Sequence, residues 1–102
     1  MPATVTNGPN ASLREMHMFE GKTLLISGGT GSFGNAVLRR FLDSGLSEIR
    51  VFSRDEKKQD DMRKRYKNTK LKFYLGDVRD ERSVSAAVSG VDFIFHAAAL
   101  KQ

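Results

Sequence analysis

The chain has 102 residues, of which 39% are hydrophobic and 28% are charged, and it contains no cysteine. The length limits it to one small domain or a piece of a larger one, and the composition excludes wholesale disorder, a disulfide framework and a thiolate metal site. The formal net charge of +5 arises within residues 54–72, where bases and acids are interleaved. This pattern is typical of a solvated helix face, so we expect no nucleic-acid partner.

Residues 1–17 show no apolar periodicity and are rich in Pro, Asn, Thr, Ala and Gly, which predicts a disordered tail or an expression remnant. They also lack the basic start and the apolar stretch of a signal peptide. No apolar run of the chain approaches the roughly 20 residues of a membrane helix. We therefore expect a cytoplasmic protein without a membrane partner.

From residue 18 onward, the apolar pattern alternates between strand-like and helix-like segments. Four strands are predicted, at residues 22–27, 49–53, 71–75 and 91–96. Three helices are predicted between them: one that ends at Gly45, a charged one at 55–66, and one capped by Asp80 and closed by Gly90.

Such alternation predicts an α/β fold, with residues 18–102 forming the N-terminal part of a Rossmann-type doubly wound parallel sheet. A complete sheet of this type has more than four strands. We therefore expect the chain to be the front part of a longer protein, truncated after the fourth strand.

The sequence GGTGSFG at residues 28–34 follows the first strand and opens the first helix. Its glycines allow a tight turn, close backbone approach to a pyrophosphate and packing of helix on strand, while the helix N-terminus favours phosphates. A glycine-rich turn without a ligand is the alternative, and a Walker A loop is excluded because no Gly-Lys-Ser or Gly-Lys-Thr follows. The motif predicts a dinucleotide site with cofactor contacts from Gly28, Thr30, Gly31, Ser32, Phe33 and Gly34.

The end of the second strand carries Ser53 and Arg54 where an NAD-binding protein has an acidic residue that contacts the ribose. Ser53 can donate to a 2′-phosphate, Arg54 can pair with it, and Lys57 adds positive charge one turn later. Alternatively, Arg54 only begins a polar helix, and Asp55 and Glu56 leave room for a ribose contact. The pattern favours NADP over NAD.

The segments SGGTGSFG, VFSRDEKKQDDMRKRY, LKFYLGDVRD and VDFIFHAAALKQ resemble the extended short-chain dehydrogenase/reductase superfamily. Within it they are most similar to the UDP-N-acetylglucosamine 4,6-dehydratases of surface-polysaccharide and flagellin-sugar biosynthesis. The resemblance covers about residues 18–102. The glycine motif identifies only the superfamily, whereas the SRDE and AAALK blocks are more specific.

This resemblance implies an NADP-dependent lyase that acts on a UDP-sugar. Hydride leaves the sugar at C4, water is eliminated across C5 and C6, and the hydride returns to C6 to give a 4-keto-6-deoxy sugar. A nucleotide-sugar 4-epimerase of the same superfamily and a non-catalytic NADP-binding regulator remain alternatives. Residues that would discriminate between them are expected beyond Gln102.

The resemblance also implies roles for particular residues. Contacts to the adenine are implied for Asp77 and Val78, contacts to the ribose and pyrophosphate for Ala97, Ala98 and Ala99, and binding of the 2′-phosphate for Ser53, Arg54 and Lys57. From the residues alone, a carboxylate at position 77 can accept the adenine amino group or belong to a Gly-Asp turn. Lys101 is a candidate for the substrate phosphates, with solvent exposure as the alternative.

Tyr66 and Lys70 match the Tyr-x-x-x-Lys pair by which this superfamily moves protons, but they precede the third strand, whereas the working pair follows the fifth. We therefore expect this pair to be dispensable for proton transfer and the 102-residue chain to be inactive alone. His96, at the end of an apolar strand, is expected to be structural. A homo-oligomer is also expected, because the short sheet leaves an apolar face and an edge available for pairing.

Overall fold

A computed structural model describes residues 18–97 of the chain. The expectations for residues 1–17, Ala98, Ala99 and Lys101 lie outside this range. The described residues form a four-stranded parallel sheet with helices on its faces, which confirms the predicted fold class. No helix within residues 18–97 combines the length and apolar character needed to cross a membrane.

Strands and helices alternate strictly along the described chain. The strands are β1 (Thr23–Ser27), β2 (Glu48–Ser53), β3 (Leu71–Leu75) and β4 (Phe93–His96). The helices are α1 (Ser32–Phe41), α2 (Glu56–Tyr66) and α3 (Glu81–Val88). The spatial order of the strands is β3-β2-β1-β4, so β1 lies between β2 and β4, and the chain continues on opposite sides of it in these two strands.

The two faces of the sheet bury different helices. Leu24 and Ile26 of β1 belong to a core cluster with side chains of α1 and α2, whereas Leu25 packs in a second cluster with Ala87 of α3. Successive residues of a strand point to opposite faces, and right-handed crossovers determine the face on which each helix packs. Two crossovers run from β1 towards β3, and the third returns to β4, so α3 covers the face opposite to α1 and α2.

Helix α2 is mostly solvated, as its interleaved charges predict. Its buried residues are Gln59 and Met62. Its charged side chains form exposed ion pairs one turn apart, including Lys64 Nζ with Asp60 Oδ2 at 3.0 Å. Such pairs contribute little to stability, and the helix is held mainly by its few buried contacts.

Candidate cofactor site

A cleft of about 1050 Å³ lies at the carboxyl ends of the four strands. It is lined by the segments that follow each strand, with contributions from Ser27, Gly28, Thr30, Gly31, Ser32, Phe33, Gly34, Phe52, Ser53, Arg54, Asp55, Glu56, Lys58, Gly76, Asp77, Val78, Arg79 and Ala97. In open α/β sheets, ligands bind in the crevice outside the strand ends where the strand order reverses. The cleft occupies this place.

Three glycines of the turn between β1 and α1 differ in the space that a side chain would find there. Gly28 has φ +70°, a conformation that L side chains rarely adopt. A Cβ on Gly34 would lie 2.5 Å from backbone atoms of Gly29, so only glycine lets the helix approach the turn this closely. A Cβ on Gly31 would meet nothing nearer than the carbonyl oxygen of Gly28 at 4.0 Å. Position 31 therefore leaves open space on the cleft side.

Helix α1 begins at the cleft without a capping side chain. Its N-cap is Gly31, and its first turn carries no acidic residue. The other two described helices are capped by Asp55 and Asp80, whose carboxylates accept from backbone N–H groups. The first-turn N–H groups of α1 and the positive end of its dipole are thus presented to an anionic ligand.

Ser53, at the end of β2, is buried, and its hydroxyl oxygen accepts two hydrogen bonds within the protein. Its Oγ accepts from the Asp55 N–H at 3.3 Å and from Gln59 Nε2 at 3.2 Å. Gln59 also donates to the carbonyl oxygen of Tyr74 at 2.9 Å and so connects β2 to β3. Because the hydroxyl oxygen already accepts two hydrogen bonds, its single proton remains to be donated to an acceptor in the cleft.

Arg54, Asp77 and Arg79 form a charged cluster across the ends of β2 and β3. Asp77 Oδ2 accepts from Arg79 Nη2 at 2.8 Å and contacts Arg54 Nη1 at 3.4 Å. The hydrogen bonds from Arg79 hold the pKa of Asp77 well below its usual value, so this carboxylate is ionised near neutral pH. The side chain of Arg54 is 70% exposed and can turn towards a ligand, whereas an adenine contact to Asp77 must share the carboxylate with Arg79.

The structure brings most of the predicted residues together but not all of them. Lys57 lies outside the cleft, where its Nζ pairs with Asp61 Oδ2 at 3.6 Å. Lys58, one residue later, lines the cleft instead. Val78 is exposed, and Ala97 is buried with its N–H donating to the Ser27 carbonyl at 2.8 Å.

Three other residues with sequence-based expectations lie outside the cleft lining. His96 is exposed at the end of β4, rather than packed as a structural residue would be. Tyr66 and Lys70 do not line the cleft: Tyr66 contacts Asn35 within α1, and Lys70 contacts the turn that follows α1. The expectation that they do not act in proton transfer stays a prediction.

A dinucleotide fits the donor groups of this cleft. An uncapped helix N-terminus and an open glycine at position 31 suit a pyrophosphate. At the end of β2 stands the hydroxyl of Ser53 rather than a carboxylate. The apolar side chains of Phe33, Phe52 and Val78 also line the space and suit the faces of flat rings.

Comparison with known protein families identifies the family of the chain. The sequence profile of the polysaccharide biosynthesis protein family matches residues 24–102. The chain belongs to this family. Its fold is the N-terminal part of the NAD(P)-binding Rossmann fold of an extended short-chain dehydrogenase/reductase, which confirms the resemblance to this superfamily.

The chain is also similar to individual proteins. It is 66% identical over 89 residues to a UDP-glucose 4-epimerase of Rickettsia conorii, an alignment that covers 83% of this chain and 26% of the relative. The X-ray structure of Pen from Bacillus thuringiensis superposes with a TM-score of 0.76 at 34% identity, covering 82% of this chain and 26% of that one. A short-chain dehydrogenase/reductase from Brucella melitensis, at 24% identity and a TM-score of 0.62, covers 74% of this chain and 35% of that one and shows the shared fold alone. The chain thus spans about a quarter of the length of the curated relatives it matches.

Proposed function

We propose that the cleft binds NADP and that the protein uses it to oxidise C4 of a UDP-hexose. The observation that carries this proposal is the uncapped N-terminus of α1 behind an open glycine turn. Membership in the polysaccharide biosynthesis family supports the class of substrate, since the curated relatives are named for a UDP-sugar.

NADP is favoured over NAD by the groups at the end of β2. The Ser53 hydroxyl has a proton to donate, which suits a phosphate oxygen. Arg54 is exposed and lines the cleft beside it, together with Lys58 and Arg79. These cations offset the carboxylates of the same wall and provide charge-assisted partners for a 2′-phosphate.

The residues around the cleft would hold NADP, which would supply a reversible hydride acceptor for the sugar. The contribution of the described residues is binding and orientation. The first turn of α1 holds the phosphates, Ser53 and Arg54 hold the adenosine end, and the small residue Ala97 leaves room at the end of β4. Holding the cofactor at its adenosine end and at its pyrophosphate limits the positions that its nicotinamide ring can take relative to the sugar, and such positioning is the main contribution of these residues to the rate.

Oxidation at C4 can be followed by either of two reactions. Return of the hydride to C4 from the other face gives a 4-epimer, and the printed name of the Rickettsia conorii relative favours this outcome. Elimination of water across C5 and C6, with return of the hydride to C6, gives a 4-keto-6-deoxy sugar. The resemblance of the SRDE and AAALK blocks to 4,6-dehydratases favours this second outcome.

Deuterium at C4 of the substrate tests the proposal and separates the two outcomes. The intact protein is incubated with NADP⁺ and either UDP-glucose or UDP-N-acetylglucosamine labelled at C4, and the products are examined by NMR. Retention of the label at C4 with inverted configuration identifies an epimerase, and transfer of the label to C6 identifies a dehydratase. Cofactor binding without turnover of either sugar would support a regulator and contradict the proposed oxidation.

A further inference from the structure

Tyr66 and Lys70 contact opposite ends of helix α1. The Tyr66 hydroxyl donates to Asn35 Oδ1 at 2.7 Å, in the first turns of the helix. Lys70 Nζ donates to the carbonyl oxygens of Leu42 and Ser44 at 3.1 and 3.0 Å, beyond the helix C-terminus. The two contacts are separated by roughly 10–15 Å along the helix axis, at 1.5 Å per residue.

Asn35 connects Tyr66 to the glycine turn. Its Nδ2 donates to the carbonyl oxygens of Gly31 at 2.9 Å and Thr30 at 3.3 Å. The two carbonyl oxygens can only accept, so they require the amide nitrogen on their side and leave Oδ1 to accept from the Tyr66 hydroxyl. The bond from Tyr66 therefore holds the amide from its other side and restrains it while the nitrogen is directed at the turn.

Holding these two carbonyl groups also orients two N–H groups. In a trans peptide the N–H points opposite to the carbonyl of the same peptide unit. The Thr30 carbonyl shares its plane with the Gly31 N–H, and the Gly31 carbonyl shares its plane with the Ser32 N–H. Because Asn35 holds both carbonyls on its own side, these N–H groups are turned away from it, and residues 30–32 line the cleft.

We propose that Tyr66 is a positioning residue for the cofactor, acting through Asn35 on the N–H groups that receive the pyrophosphate. This inference rests on the proposed function of the cleft. It gives the Tyr66 hydroxyl a role in cofactor affinity and none in proton transfer. Tyr66→Phe removes one hydrogen bond and leaves the ring packed against the core.

The experiment measures NADPH affinity of the intact protein for wild type, Tyr66→Phe, Asn35→Ala and the double variant. Lys70→Met is the matched control, because it loosens the same helix at the distant end. Tyr74→Phe controls for loss of a tyrosine hydroxyl, since this second tyrosine packs with α3 on the opposite face. Amide hydrogen exchange at residues 31–35, measured without cofactor, provides a readout that does not depend on binding.

We expect Tyr66→Phe to raise the Kd for NADPH about 3- to 10-fold, the range for one net hydrogen bond, with faster exchange in the turn and unchanged kcat at saturating cofactor. Lys70→Met should lower the Tm but leave the Kd within about twofold. The double variant should bind no more weakly than Asn35→Ala alone, because Tyr66 acts on the turn only through the Asn35 side chain.

The inference is overturned by a Tyr66→Phe Kd within twofold of wild type, by an equal effect of Lys70→Met, or by additive effects of Tyr66→Phe and Asn35→Ala. A large loss of kcat in Tyr66→Phe would equally overturn it. Absence of NADPH binding by the wild-type protein would instead contradict the proposed function, and unchanged exchange in the turn would then reject the positioning role independently.

Discussion

Gly31, the N-cap of α1, and Gly34, in its first turn, have different steric surroundings, so substitutions at the two positions should affect binding and folding differently. A Cβ at Gly34 would meet the Gly29 backbone at 2.5 Å, whereas at Gly31 it would enter open space. Gly34→Ala should therefore destabilise the protein by about 1–3 kcal/mol, the usual cost of overpacking. Gly31→Ala should cost less than about 1 kcal/mol, the scale of an N-cap change. Urea unfolding of both variants checks this, and equal midpoints would contradict it.

Arg54 and Lys57 provide a second test at the level of single residues. Arg54 lines the cleft, whereas Lys57 is directed to Asp61 outside it. Arg54→Ala should weaken NADP binding by about 1–2 kcal/mol more than NAD binding, because an exposed charge-assisted pair is lost. Lys57→Ala should alter neither cofactor's affinity by more than about twofold. Calorimetric titrations with equal losses of NADP and NAD in Arg54→Ala would reject the assignment of the 2′-phosphate site.

Sequence reasoning at this scale succeeded where backbone geometry decides and failed where side-chain direction decides. The glycine pattern correctly predicts the turn and its junction with the helix. The spacing of Lys57 from Arg54 suggested a common ligand, but Asp61, one turn further on, pairs with this lysine on the solvated face. Arg79 was missed, although an arginine two residues after Asp77 is a detectable signal for a carboxylate held at the cleft.

Among the helices and strands, α2 is held by one buried polar side chain. Gln59 is 3% exposed, and its amide donates to Ser53 and to the carbonyl of Tyr74. Gln59→Leu keeps the volume but removes the donor to the Tyr74 carbonyl and one of the two donors to Ser53 Oγ, so it should destabilise the protein by about 1–3 kcal/mol. Asp61→Asn, on the exposed face of the same helix, should change stability by less than about 0.5 kcal/mol.

Thermal unfolding of Gln59→Leu and Asp61→Asn measures the difference. If the two variants unfold at the same temperature, the amide does not connect α2 to the strands as described. The sequence contains a signal for this residue that was not used: Gln59 lies three positions before the buried Met62, on the apolar face of an otherwise charged helix.

The predicted elements match the structure, but some boundaries shift for local reasons. Helix α1 ends at Phe41 rather than near Gly45, because the Ser44 hydroxyl donates to the Phe41 carbonyl at 2.6 Å and satisfies the helix end. Strand β4 begins at Phe93 rather than at residue 91, because the Val91 N–H donates to the Val88 carbonyl at the end of α3. Apolar character alone does not distinguish these terminal residues from the strand that follows.

For the whole molecule, the strand order explains why the cleft exists. Alternating strands and helices predict a parallel sheet, but the pattern of one sequence does not determine which strands are neighbours. In the structure β1 pairs with both β2 and β4, so the segments after β1 and β4 diverge and leave a crevice between them. The glycine turn opens into this crevice, and the ends of β2 and β3 form its other wall.

Calorimetric titration of NADP⁺ into the intact protein and into its Gly31→Val variant tests the central claim most directly. The Cβ position at Gly31 is open, and its backbone is extended with φ −79°, so the variant should fold with an unchanged circular dichroism spectrum. A branched side chain there would occupy the path of the pyrophosphate and should weaken binding at least about a hundredfold. A folded Gly31→Val protein that binds NADP⁺ as tightly as wild type would show that the cleft is not the cofactor site.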